Sequence, residues 1–216
     1  MKQAYILLLF VVICAFGACK QDTAVEKAKT SNPATRTAMA GATLNVNTNS
    51  SIINWTGSKI GGSHSGTIQI SNGSLAVKNG NITGGSFVID MNSIQNTDLP
   101  DDKKGDLVGH LKNADFFDVG VYPTAKFDIT NITKLTNEPG ASHLVYGNLT
   151  LKDVTKEIGF KANINVDGQN VTVKTTKFSI DRADFNVKYG SNRFFDNLKD
   201  KAINDNIDLE IIVNAS

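Results

Sequence analysis

The sequence has little of what usually drives ionic or covalent chemistry. Its 216 residues include two cysteines, four prolines and three histidines, and 22 Lys and Arg residues nearly balance 21 Asp and Glu residues. Without a charge excess there is no counterion-release drive toward nucleic acid, so we expect no nucleic-acid partner. Hydrophobic residues make up 40% of the chain, which is sufficient for one core. Length and composition therefore predict a single folded domain with appendages.

The first apolar run is too short to cross a membrane as a helix. It extends from Tyr5 to Phe16 behind Lys2, whereas a helical span needs about 20 residues. We therefore interpret residues 1–18 as a signal peptide. Small residues precede Cys19, and this segment is similar to the lipobox of bacterial lipoproteins. We expect Cys19 to carry a lipid anchor; the alternative is ordinary secretory cleavage near Ala18 with a free cysteine.

The segment after the predicted cleavage site differs in composition from the rest of the chain. Cleavage would leave Cys19 as the one cysteine, which excludes a disulfide or a zinc–thiolate site in the folded part. We predict that residues 19–43, rich in Lys, Thr, Ala and Asn, form a flexible tether with a root-mean-square reach of about 25 Å. The folded domain would then comprise 44–216, held at a membrane of the bacterial cell envelope and facing the periplasm or the cell exterior.

From Leu44 onward, apolar residues recur at every second position. The clearest run lies between Ile158 and Val166, where polar residues fill most of the alternate positions. This period is typical of a β-strand with one buried face. Asn-Gly or Asp-Gly pairs at 72–73, 79–80 and 167–168 predict turns between antiparallel strands. The predicted strands lie near 51–57, 63–71, 73–78, 84–91, 124–131, 143–151, 157–166, 170–180 and 206–214.

Two stretches break the alternation. Residues 101–115 place Leu107, Val108 and Leu111 at helical spacing behind acidic residues, which predicts a helix. The segment 191–203 is either a short helix or a packed loop. Eight or nine short strands suit a barrel or a sandwich, and an eight-stranded barrel is either filled by side chains or wide enough for one slender ligand.

The candidate catalytic side chains form no recognisable motif. His64, His110 and His143 lie on different predicted elements, so a shared metal site would require the fold to bring them together. Acidic residues near the predicted helix start and around Arg182 are explained by helix-terminal charge and local ion pairing. We therefore expect neither a metal nor a catalytic residue, and a small hydrolase or metal enzyme is the least favoured alternative.

Five sequence motifs follow one another along the chain. They are Ile89–Ile94 (IDMNSI), His110–Asp118 followed by Tyr122–Phe127 (HLKNADFFD and YPTAKF), Gly147–Lys152 (GNLTLK), Phe178–Phe185 (FSIDRADF) and Val187–Asp200 (VKYGSNRFFDNLKD). In this order they resemble the YceI-like family of lipid-binding, lipocalin-like barrels. The last of them resembles the variant found in Bacteroidetes-type lipoproteins.

The resemblance implies an all-β fold, namely an antiparallel eight-stranded lipocalin-like barrel with one crossing α-helix. It also implies an elongated apolar tunnel that holds a polyisoprenoid, such as a prenyl quinone or a polyprenyl phosphate, without catalysis or cofactor. The expected partners are this lipid and, through the anchor, a membrane; a homodimer and a monomer both remain open. The alternative function is an interaction module of the envelope stress response whose barrel is filled and binds no lipid.

Strand parity provides candidates for the tunnel wall. His64 has the parity of the inward-facing residues of its strand. Arg182 is a candidate for contact with an anionic head group, and the alternative is an ion pair with Asp181 or Asp184. Each wall candidate has ordinary core packing as its alternative. The candidates are Trp55, His64, Phe87, Ile89, Phe127, Ile129, Leu149, Phe160 and Phe178.

Overall fold

The alternating segments form long antiparallel strands. A computed structural model describes residues 25–216; the predicted signal peptide and Cys19 lie outside the described residues. The strands are β1 Glu26–Lys27, β2 Lys29–Ser31, β3 Ala42–Asn45, β4 Ile52–Lys59, β5 Gly62–Lys78, β6 Asn81–Asn96, β7 Thr124–Lys134, β8 His143–Leu151, β9 Val154–Asp167, β10 Asn170–Thr175, β11 Phe178–Asp181 and β12 Ile203–Ala215. The helix α1 spans Asp101–Lys112, and two 3₁₀ turns span Arg182–Phe185 and Lys199–Lys201.

Eight strands pair in a closed ring. From β4 the antiparallel order runs through β5, β6, β7, β8, β9, β10 and β12, and β12 pairs again with β4. Closure leaves no free edge in this ring, which is how barrels avoid edge-to-edge association. The predicted eight-stranded antiparallel barrel is confirmed.

Of the two turns predicted at Asn-Gly pairs, the one at 79–80 is confirmed and the one at 72–73 is wrong. Asn79 and Gly80 both have positive φ and connect β5 to β6, as that dipeptide favours. By contrast, Asn72 and Gly73 lie inside β5, where the register with β6 shifts between Ile70 and Asn72. The predicted turn at 72–73 is therefore wrong: the extra residue is absorbed by a bulge, and two predicted strands are one.

The helix α1 lies against β6 near the end of the barrel at which the β4–β5 hairpin turns. It begins after Pro100 and ends at Lys112, three residues before the predicted end. Leu107 and Leu111 pack against the core, and Phe116 and Phe117 in the following segment are buried. None of the helices within residues 25–216 is long and apolar enough to cross a membrane.

Residues 26–45, which we call the strap, run along the outside of the barrel. β1 pairs in parallel with β11, and β2 pairs with β9 along the part of β9 that β10 does not reach. Beyond β2, the Ala34 amide donates to Asn148 Oδ1, the Thr37 amide donates to the Ile129 carbonyl, and β3 pairs with β5. The expectation of a flexible tether over all of 19–43 is thus corrected for residues 26–31 and 42–43, which lie in strands of the sheet or between them.

The segment 186–202 connects the first 3₁₀ turn to β12 and is a loop with one 3₁₀ turn near its end. Of the two structures predicted for 191–203, the loop is the better description, although most of its side chains are exposed and not packed. Its backbone is fixed at the base, because the Ile203 amide donates to the Gly190 carbonyl.

The packing of the strap on the barrel predicts that a charge introduced at its buried position lowers the stability of the fold. Ala28 lies between β1 and β2 and is 5% exposed, whereas its neighbour Lys29 is exposed. We expect Ala28→Asp to lower the free energy of unfolding by at least about 2 kcal/mol, because it buries an unpaired carboxylate. Lys29→Asp places the same charge in solvent and should change the stability by no more than about 0.5 kcal/mol. Urea denaturation measures both, and equal midpoints would show that the strap does not pack on the barrel.

Candidate functional site

The barrel encloses a cavity of about 680 Å³ whose wall is almost entirely apolar. Side chains from all eight ring strands and from α1 contribute to it. The alternative of a barrel filled by its own side chains is therefore wrong. A cavity of this size lies within the range of about 300–1,000 Å³ that is usual for small-molecule sites.

Four phenylalanine rings form a row along one side of the cavity. The ring centroids of Phe87 and Phe127 are 6.3 Å apart, those of Phe127 and Phe160 are 5.6 Å apart, and Phe160 stacks on Phe178 at 4.6 Å. Gly147 makes this arrangement possible, since a Cβ at that position would overlap the Phe127 ring. The row places large rings along the wall and leaves the centre of the barrel open.

All nine predicted wall residues line this cavity, as does Arg182. They come from seven different strands and are brought together as strand parity predicts. That they contact a lipid stays a prediction. Sequence reasoning missed the contribution of α1 and of the loop: Leu107, His110 and Tyr189 also line the cavity. The helical spacing of Leu107 and Leu111 was a usable signal, whereas nothing in the sequence indicated the position of Tyr189.

Most of the polar residues that line the cavity lie at one end of the barrel. Ser58, Lys59 and His64 of the β4–β5 hairpin, Asp106 of α1, and Lys201 near the end of the 186–202 loop all line it there. We call this end the mouth. Here the cavity wall consists of a hairpin, a helix and a loop, so its composition is set by three separate parts of the chain.

Arg182 is buried, with 1% exposure, and its guanidinium is occupied by the protein itself. It donates to the backbone carbonyls of Asn204, Val187 and Ile203 at 2.8–3.1 Å. Its ion pair is with Asp205, at 3.2 Å. Burial lowers the pKa of the guanidinium, and the nearby carboxylates oppose that shift. With these partners Arg182 connects the two ends of the 186–202 loop.

The sequence-based alternative for Arg182 named the wrong partners. Asp181 instead accepts from Lys27 of the strap at 2.8 Å, and Asp184 accepts from Arg193 at 2.8 Å. The physical reason is the 3₁₀ turn, which directs the Arg182 side chain inward toward β12 while Asp184 stays near the surface.

Two buried polar atoms on the cavity wall have no hydrogen-bond partner among the described residues. They are the Trp55 indole Nε1 and the His110 Nε2. The His110 ring makes edge contacts with Phe116 and Tyr189, at centroid distances of 5.4 and 4.7 Å. An unpartnered buried polar group is costly, so these two atoms mark where a polar group of a ligand would be stabilised.

His64 and Asp98 form a hydrogen bond at the mouth, with 3.0 Å between Nδ1 and Oδ2. Burial raises the pKa of Asp98, but hydrogen bonds from the Ser65 amide, His64 and Asn96, together with the charge of His64, outweigh it and lower the pKa to about 2. Asp98 thereby connects the start of β5 to the end of β6. His64 is on the cavity wall, yet its δ nitrogen is already in use.

The histidines do not share a site. His64 pairs with Asp98, His110 lies between aromatic rings, and His143 Nδ1 is 2.7 Å from the Ser142 hydroxyl. Within residues 25–216 there is no group of three or more His, Cys, Asp or Glu residues that could hold a metal ion. The apolar side chains of the cavity wall are suited to binding an apolar ligand.

Comparison with known proteins agrees with this geometry. The family model described as a YceI-like domain matches residues 44–215. A UPF0312 protein of Pseudomonas putida (strain W619) is 46% identical over 61 residues, which are 28% of this chain and 30% of the relative. A UPF0312 protein of Pseudomonas paraeruginosa is 36% identical over 75 residues, 35% of this chain and 37% of the relative. The matched segments thus span about a third of these relatives.

Solved structures share the fold at low sequence identity. BcnA of Burkholderia cenocepacia has a TM-score of 0.58 and 20% identity, covering 79% of this chain and 99% of that one. A polyisoprenoid binding domain from Saccharophagus degradans, implicated in plant cell wall breakdown, has a TM-score of 0.56 and 16% identity over 80% and 97% of the two chains. The Campylobacter jejuni YceI protein has a TM-score of 0.50, 19% identity and coverage of 68% and 82%.

The His64–Asp98 pair predicts an acid-dependent loss of stability. Between the unfolded-state pKa of about 4 and the folded value of about 2, the folded chain binds fewer protons at Asp98 than the unfolded chain. The stabilisation is therefore complete above about pH 4 and is lost as the pH falls toward 2. We expect Asp98→Asn to be less stable at pH 7 and to lose less stability over pH 4 to 2. Urea midpoints at several pH values measure this, and parallel curves for both chains would contradict it.

Proposed function

The chain belongs to the YceI-like family, and from that premise we propose that its barrel binds and sequesters an isoprenoid lipid, such as a prenyl quinone or a polyprenyl phosphate. The observation that carries the proposal is the apolar cavity of about 680 Å³. The fold is shared with a protein described as a polyisoprenoid binding domain. Binding rather than catalysis is what the family and the cavity wall favour.

The driving force would be burial of the lipid tail. Each buried methylene contributes about 0.8 kcal/mol, so a long tail needs no charged contact to be held. A near-neutral chain with an apolar cavity is consistent with this mechanism. The row of four phenylalanines would provide flat surfaces along which the methyl-branched tail packs.

The polar head group would lie toward Trp55 and His110. The Trp55 indole is a donor only, and His110 Nε2 donates or accepts according to its tautomer, so the pair suits a head group with acceptor oxygens. Arg182 is a weaker candidate than the sequence indicated, because three carbonyls and Asp205 already use its donors. A phosphate would instead meet Lys59 and Lys201 at the mouth.

The location of the protein is also part of the proposal. We propose cleavage after Ala18, a lipid on Cys19, and attachment to a membrane of the bacterial envelope. Because the first strand begins at Glu26, six residues separate it from Cys19, and that length of chain has a maximum reach of about 25 Å. The barrel would then remain close to the membrane that supplies its lipid.

Lipid extraction tests the function directly. Protein purified from its native host should yield about one isoprenoid lipid per chain by mass spectrometry. Phe127→Asp places a carboxylate on the cavity wall and should reduce the extracted lipid at least about tenfold. Lys126→Asp introduces the same charge at the exposed neighbouring position and should leave it unchanged. Circular dichroism confirms that both variants fold; a lipid-free extract from folded native protein would contradict the proposal.

The head-group contact can be tested separately. Trp55→Phe keeps an aromatic ring but removes the indole N–H. We expect its affinity for a prenyl quinone to fall about 2- to 10-fold, which corresponds to the loss of one hydrogen bond. The affinity for an isoprenoid hydrocarbon such as squalene, which accepts no hydrogen bond, should not change. Isothermal calorimetry on delipidated protein measures both ligands. Equal losses for both would mean that Trp55 contributes only packing.

A further inference from the structure

Large apolar side chains are concentrated outside the cavity at its mouth. Six large hydrophobic residues are exposed in the described part of the chain, and four of them are Ile60, Tyr189, Phe194 and Phe195. Ile60 is 63% exposed at the tip of the β4–β5 hairpin, and Phe194 and Phe195 are 42% and 49% exposed on the 186–202 loop. We call these four residues the mouth patch.

The hairpin tip and the loop are at the same end of the barrel. Lys59 is paired with Ile203, and the Ile203 amide donates to the Gly190 carbonyl. Tyr189 and Lys201 of the loop line the cavity together with Lys59. The mouth patch is therefore continuous with the rim of the cavity.

The exposure of the two phenylalanines is imposed by a fixed backbone. The amides of Phe194 and Phe195 both donate to the Ser191 carbonyl. The Ser191 hydroxyl in turn donates to Asp205, and Arg193 pairs with Asp184 at 2.8 Å. Both rings thus belong to a loop tied to the barrel at several points, yet they bury little of their surface.

Basic side chains accompany the exposed rings. Lys188 lies over the Phe194 ring at 5.1 Å. Within 186–202 the basic residues Lys188, Arg193, Lys199 and Lys201 outnumber the acidic residues Asp196 and Asp200. Asp106 and His64 also line the mouth, and His64 is paired with Asp98. Aromatic rings with adjacent lysines are typical of segments that lie in the head-group region of a bilayer.

We propose that the mouth patch docks the barrel onto an anionic lipid bilayer, so that the cavity opens toward the membrane. This inference rests on the proposed lipid-binding function. Exposing an isoprenoid tail to water is unfavourable in proportion to its length, and docking lets the lipid move between bilayer and cavity without that exposure. The chain between Cys19 and β1 has a maximum reach of about 25 Å. This exceeds the distance of about 10 Å along β11 from Phe178, the partner of Glu26, to Asp181, after which the 3₁₀ turn with Arg182 begins, so an anchor at Cys19 is compatible with this orientation.

Vesicle co-sedimentation tests the docking surface. The chain from residue 19 with Cys19→Ser lacks an acyl anchor, and it is mixed with vesicles of phosphatidylethanolamine and phosphatidylglycerol. We expect it to bind, and we expect Phe194→Ser combined with Phe195→Ser to reduce the bound fraction at least tenfold. Both rings are exposed, so the double variant should keep its fold. Met39→Ser is the matched control, since Met39 is 39% exposed and lies against Gly84 near the far end of the barrel.

The outcomes separate this inference from the function on which it rests. Lipid co-purification without vesicle binding would overturn the docking surface and leave the lipid-binding function in place. Vesicle binding that the double phenylalanine variant retains would also overturn it. Analytical ultracentrifugation provides the remaining check: a dimer that dissociates when the phenylalanines are replaced would assign the patch to a second copy of the chain and contradict the proposal.

Discussion

The cavity stays open because large aromatic side chains of the wall pack against glycines on neighbouring strands. An eight-stranded barrel is narrow, and four phenylalanines pointing at its axis would fill it. Phe127 instead lies across Gly147, and Trp55 lies against Gly66 on the neighbouring strand, so that each ring occupies space that a Cβ would otherwise take. The interior stays open because large and small residues are paired across strands. Total apolar content alone could not produce this result.

The mouth is held by a different kind of interaction, centred on a buried cation. Arg182 connects the first 3₁₀ turn to both ends of the 186–202 loop through backbone carbonyls and Asp205. Its guanidinium also lies 5.3 Å from the centroid of Phe116, which follows α1. One side chain therefore positions the turn, the loop and the segment after the helix. These contacts give Arg182 of the FSIDRADF motif a structural role.

The sequence predicted the barrel and its interior for a physical reason. Alternation in segments such as β9 reports a single buried face, and closure brings every such face to the same cavity, so residues as distant in sequence as Trp55 and Phe178 meet there. The strap could not be predicted in this way. Strands of two and three residues have no measurable period, and Ala28 is the one residue of the Glu26–Ser31 segment that is buried. Three partners of Arg182 were missed because they are backbone carbonyl groups, which leave no trace in the residue pattern. The fourth, Asp205, is on β12 and is far from Arg182 in sequence.

The strap changes how the anchor and the barrel are related. The first half of β9 pairs with β8 on one side. On its other side it pairs with β2, because β10 pairs only with the second half of β9. β1 then continues onto β11. The segment nearest to the proposed lipid anchor is thus hydrogen-bonded between two strands of the wall, and the inner side of that wall bears the stacked pair Phe160 and Phe178. A force applied at Glu26 would therefore act on strands of the cavity wall, because β1 and β2 are hydrogen-bonded to β11 and β9.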